Sequence, residues 1–63
     1  MTKTEWNKAK RALASRGEYV AKDGLTICKH QERYGFRYSV YAPGVGCISC
    51  EYDLQRIAEW LVD

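Results

Sequence analysis

The stretch that most constrains the fold of this chain is Phe36-Arg37-Tyr38-Ser39-Val40-Tyr41, set between Gly35 and the turn Ala42-Pro43-Gly44-Val45-Gly46. Strict alternation puts Phe36, Tyr38 and Val40 on one side and Arg37, Ser39 and Tyr41 on the other. With aromatic and branched residues at that period, the segment reads as a strand with one face covered and one free. Whatever else the chain does, it has to supply a layer for the apolar face.

That layer is expected from the two ends of the chain. Thr2-Lys3-Thr4-Glu5 fits a capping box, with the Thr2 hydroxyl accepting from the Glu5 N–H and the Glu5 carboxylate reaching back to Thr2. No Gly or Pro interrupts residues 3 to 16, and Gly17 supplies a C-terminal stop. Trp6, Ala9 and Leu13 recur at i, i+3 and i+7 as a narrow apolar stripe, with Lys8, Arg11 and Ser15 opposite. At the other end Asp53 is a good N-cap, and Leu54, Ile57, Ala58 and Leu61 form a second stripe with Trp60 at its edge.

Between the helices lie three further strand candidates. Glu18 to Lys22 reads as a short strand. Asp23-Gly24 signals a two-residue hairpin turn, which would oppose Lys22 to Leu25 and Val20 to Ile27. Leu25 to Lys29 reads as a strand with Leu25 and Ile27 inward and Thr26, Cys28 and His30 outward. The polar run Gln31 to Gly35 is expected to be a loop, with Tyr34 exposed. After the central strand, an odd-length loop would oppose Val40 to Ile48, Tyr38 to Cys50 and Phe36 to Tyr52, all inward, with Gly44 and Gly46 free to take positive φ. The same register sets Arg37 across from Glu51 on the outer face. The expected fold is an α+β, two-layer single domain over residues 1–63: an N-terminal helix, a three- to four-stranded antiparallel meander, and a C-terminal helix packed on one sheet face.

A chain of 63 residues buries only about 60% of its unfolded surface and has little core in which to hollow out a substrate pocket. Cys28, Cys47 and Cys50 are an odd count, too few for a secreted disulfide framework, and read as reduced thiols. No apolar run approaches a membrane span, and Met1 to Glu5 carries no signal-type segment, so no membrane partner is expected and the expected compartment is cytoplasmic. Charge is uneven. Residues 1 to 37 carry nine Lys and Arg against Glu5, Glu18, Asp23 and Glu32, a net of +5, whereas residues 38 to 63 hold only Arg56 against Glu51, Asp53, Glu59 and Asp63, a net of −3.

Cys28 and His30 with Cys47 and Cys50 supply four zinc-type ligands, but a regular strand would turn Cys47 and Cys50 to opposite faces, so no metal or other cofactor is expected. Cys28 and His30 share a strand face as a nucleophile and base would, but at about 6.5 to 7 Å along a strand they lie beyond hydrogen-bond reach. Gly44-Val45-Gly46 precedes a strand rather than a helix and so reads as a turn, not a phosphate loop. The chain is expected not to be an enzyme.

What is left is a contact surface. Lys8, Arg11, Lys29 and Arg37, interleaved with Tyr34 and Tyr41, offer charges for phosphates and rings for stacking. Tyr34, Tyr41 and Trp60 offer the anchors that protein interfaces favour. The first expectation is a small non-enzymatic modulator or adaptor that binds a larger protein through this aromatic and basic surface. The alternative is a nucleic-acid-binding module that uses the basic N-terminal helix and the outward sheet face. The Cys/His/Tyr face equally suits pairing of two copies as a homodimer. In layout alone, a three-stranded sheet backed by a helix resembles small DNA-binding domains that lay a sheet in the major groove. The order helix, three strands, helix is similar to the double-stranded RNA-binding domain. The last helix of that family begins with lysines, where this chain has Glu51 and Asp53.

Overall fold

A computed structural model describes residues 1–63. The order is α1 (Lys3–Arg16), β1 (Glu18–Val20), β2 (Thr26–Glu32), β3 (Gly35–Ala42), β4 (Gly46–Glu51) and α2 (Leu54–Leu61). The strands form one antiparallel sheet in the order β1-β2-β3-β4, and no helix is long and apolar enough to cross a membrane. This is the expected small α+β layout, with the fourth strand present.

Both helices are set by their caps. The Thr2 hydroxyl accepts from Glu5 N–H at 3.1 Å, and Gly17, at φ 76, closes α1 by donating to the carbonyls of Ala12 and Leu13. Only half of the expected capping box forms, because the Glu5 carboxylate accepts from the Tyr19 hydroxyl at 3.3 Å instead of turning back to Thr2. The Asp53 carboxylate accepts from Gln55 N–H at 3.0 Å to start α2. Beside the end of α2, the Met1 amino group donates to the Leu61 carbonyl at 3.0 Å.

The two helices cover one sheet face. Trp6, Ala9 and Leu13 from α1 meet Ile27 and Val40 from the sheet and Ile57 from α2, with Tyr19, Leu25, Tyr38, Leu54, Ala58 and Leu61 packed around them. Burying these side chains drives the assembly, at about 1.5 to 3 kcal/mol for each large one. Val40 and Tyr38 lie on this face, as the alternation requires. Phe36 does not reach cover: it is 43% exposed, because neither helix extends over that end of the sheet.

Both outer hairpins depart from the expected register. At Asp23-Gly24 the pairs are Tyr19 with Ile27 and Val20 with Thr26. Ala21 N–H donates to the Leu25 carbonyl, so Lys22, Asp23 and Gly24 form a three-residue loop. Only Gly24 takes positive φ, whereas the expected two-residue turn needs it at Asp23 as well. The Asp23 carboxylate accepts from Leu25 N–H instead.

Between β3 and β4 the odd loop forms, with Ala42 opposite Gly46, Tyr41 opposite Cys47, and Gly44 and Gly46 at positive φ. A bulge between Val40 and Tyr41 then shifts the ladder by one residue, giving Val40 with Ser49, Ser39 with Cys50 and Tyr38 with Glu51. Ile48 is the residue absorbed. The expected inward pairs Val40–Ile48, Tyr38–Cys50 and Phe36–Tyr52 are therefore not formed. Ile48, Cys50 and Tyr52 are exposed instead, and Ser49 and Glu51 take the helix side.

Candidate functional site

The loop expected at Gln31 to Gly35 is instead the end of a long hairpin. β2 continues through Glu32, Glu32 pairs with Gly35, and Arg33-Tyr34 make the turn. β1 pairs with β2 only from Thr26 to Cys28, and β4 pairs with β3 only from Tyr38 onward. His30 to Glu32 and Gly35 to Arg37 are thus paired with one another alone. They form a two-stranded ribbon that outruns both neighbouring strands.

Three rings gather at its end. Glu32, Arg33, Tyr34, Gly35, Phe36 and Tyr52 line an open cleft of about 340 Å³. Tyr34 is 92% exposed and Tyr52 is 73% exposed. The cations beside them lean on ring faces: Lys29 Nζ lies 4.0 Å from the centroid of Phe36, and the Arg33 guanidinium carbon lies 5.6 Å from that of Tyr34. Such contacts hold a cation near a ring while leaving its N–H groups able to donate elsewhere.

Arg37 sits at the base of the ribbon on the uncovered face. Its expected partner, Glu51, is turned to the other face by the bulge, and Arg37 Nε lies 3.1 Å from Glu32 Oε1 instead. Arg37 Nη1 donates to Cys50 Sγ at 3.7 Å. The Cys50 sulfur first, and then the Glu32 charge, hold the Arg37 guanidinium above its ordinary pKa, so this charge is permanent in any working range. His30 stands directly opposite Arg37 across the ladder, its Nε2 shielded from solvent and without a hydrogen-bond partner.

No family model, no curated protein and no solved structure matches the chain.

The other candidate residues are dispersed. Arg11 is exposed on the side of α1 turned away from the sheet, and Lys8 on the flank beside β1, where it lines a cleft with Tyr19, Val20 and Lys22; both belong to the helix layer, across the sheet from Arg37 and Tyr41. The expected joint surface of basic helix and outer sheet face therefore does not exist as one patch. Tyr41, half-buried, lies on the outer face opposite Thr26 and Cys47, toward the far end of the sheet from the ribbon tip. Trp60 is 49% exposed. Gln55, Ala58, Glu59 and Val62 line the cleft between α2 and α1, so helical spacing puts Trp60 on the opposite flank, toward the β4 edge.

Of the expected set, then, only Tyr34 lines the cleft; Lys29 reaches its margin over Phe36 from the helix side, and Arg37 reaches it through Glu32 from the uncovered face. Arg33, Phe36 and Tyr52 join them, and the sequence carried only a faint signal for these three. Lys29 and Gln31 occupy helix-side positions of β2, which hides the alternation that would have extended the strand.

The bulge also alters the cysteines. Cys50 lies across from Ser39 and Cys47 across from Tyr41, so both are on the uncovered face rather than on opposite faces. Cys28 flanks Ser39 from the other side. No three of the His, Cys, Asp and Glu side chains converge where they could hold a metal ion.

Proposed function

We propose that this chain is a non-enzymatic binding module that docks on a larger protein through the free end of the β2–β3 ribbon. Tyr34 and Tyr52 are the anchors, with Phe36, Arg33 and Arg37 around them. The observation that carries this reading is the exposure of Tyr34 and Tyr52 around one cleft that no other part of the chain fills. Tyr and Arg dominate interface energetics because they bring large contact area together with directed donors. A short chain with little core works more readily by covering another protein's surface than by enclosing a substrate.

The test is capture from an extract of the native host, with and without nuclease. Capture should survive nuclease and fall at least about tenfold for the combined Tyr34→Ala and Tyr52→Ala change, the minimum for losing one anchor worth roughly 1.4 kcal/mol. Capture of the same protein by the double variant at undiminished strength would refute the reading.

A second reading rests on the cations of this ribbon: Lys29 and Arg33 lean on Phe36 and Tyr34, and Arg37 stands at its base. Lys29, Arg33 and Arg37 could meet phosphates while Tyr34 and Tyr52 stack on bases, and a two-stranded ribbon fits the major groove. On that reading, binding to mixed-sequence oligonucleotides weakens steeply with salt and is lost on Arg37→Glu.

A further inference from the structure

The β4 edge carries no charge along its length until Glu51 at its end. β4 ends the strand order and pairs only with β3. From Pro43 through Cys50 there is no charged residue, and Val45, Ile48 and Trp60 are exposed along this flank. The β1 edge, by contrast, carries Glu18 beside Lys22, and the ribbon ends in Arg33. In a two-fold antiparallel contact residue i faces residue j of the partner and j faces i, so an edge uncharged from Gly46 to Cys50 meets its own copy with no charge at the centre of the contact.

We propose that β4 pairs antiparallel with β4 of a second copy of this chain, extending the four-stranded sheet to eight strands. The centre falls between Ile48 and Ser49. Gly46 then faces Glu51 of the partner subunit, and Cys47 faces Cys50 of the partner subunit. Residues directly opposite in a ladder must share a sheet face. In a regular strand, residues three apart would not. Here the bulge brings Cys47 and Cys50 to the uncovered side, and Gly46 and Glu51 both lie on the helix side, across from Ala42 and Tyr38. The same register keeps Glu51 away from its own copy and sets Ile48 at the axis. Bulges also serve to protect edges from pairing, so a monomer is the competing outcome.

Two measurements on the intact chain decide it. Under reducing conditions, sedimentation from roughly 10 to 200 µM should show a species of twice the chain mass, because a dimer responds to concentration by mass action. Ile48→Lys should weaken it at least about tenfold. Mild oxidation with diamide, which takes up the two electrons and two protons released by a thiol pair, should then join Cys47 to Cys50 of the partner subunit. Cys47→Ser and Cys50→Ser should each abolish the crosslink while leaving the reduced dimer intact. A crosslink that persists in either single variant would overturn this register. A monomer throughout the concentration range would overturn the pairing itself.

Discussion

Two side chains weaken the fold as they ionise in alkali. Tyr19 has its pKa pushed above the ordinary 10.0, by burial first and then by the charge and hydrogen bond of Glu5. Cys28 is pushed above the ordinary 9.0, again by burial first and then by the charge of Glu18. In both, the native state favours the protonated form. Their contribution is therefore complete below the unfolded-state pKa and is lost as pH rises through the higher native value. The urea midpoint should be insensitive to these groups up to about pH 8 and fall as the pH is raised further. Cys28→Ala and Tyr19→Phe should each make that decline shallower. A midpoint that holds level through the alkaline range in the unmodified chain would contradict both assignments.

At the level of elements, the helices were legible because their signals are local. Thr2, Gly17 and Asp53 act within a turn of where they stand, and the stripes Trp6-Ala9-Leu13 and Leu54-Ile57-Leu61 needed only spacing. The registers of the outer hairpins were less legible, because each depends on a single residue. The β3–β4 loop has the expected odd length, yet Ile48 slips out of the ladder one pair later and reverses the face of Cys50, Glu51 and Tyr52. The candidate site suffered from the same limits. Tyr34 and Arg37 could be read from a polar turn and an alternating strand, but Tyr52 was assigned to the core by a register that the bulge breaks. Deleting Ile48 tests this directly. The flanking pairs, Tyr41 with Cys47 and Val40 with Ser49, would then follow one another without interruption, so the shortened chain should fold with them unchanged and lose no more than about 1 kcal/mol. Cross-strand proton contacts between Ser39 and Cys50 check the register, and their replacement by contacts between Ser39 and Ser49 would show that the bulge is not where the ladder places it.

For the molecule as a whole, the core is small and stability is correspondingly thin. Only nine of 63 residues are buried, and Ile27, Val40 and Ile57 are the large side chains fully enclosed. Chains of this size are held by roughly 3 to 9 kcal/mol, while truncating a buried isoleucine to alanine removes about 2 to 5. Ile57→Ala should therefore lower the thermal midpoint by well over ten degrees, as read by circular dichroism, and Ile57→Val by only a few. A midpoint for Ile57→Ala close to that of the unmodified chain would mean that α2 is not anchored as described.

The placement of both helices on one side has a practical corollary. Lys8 offers a chemical handle behind the sheet, opposite to the strand surface that bears Arg37 and Tyr41. A dye or bead joined to that amine leaves the outward strand surface facing solution, so a tethered molecule can be probed there without the linker standing in the way.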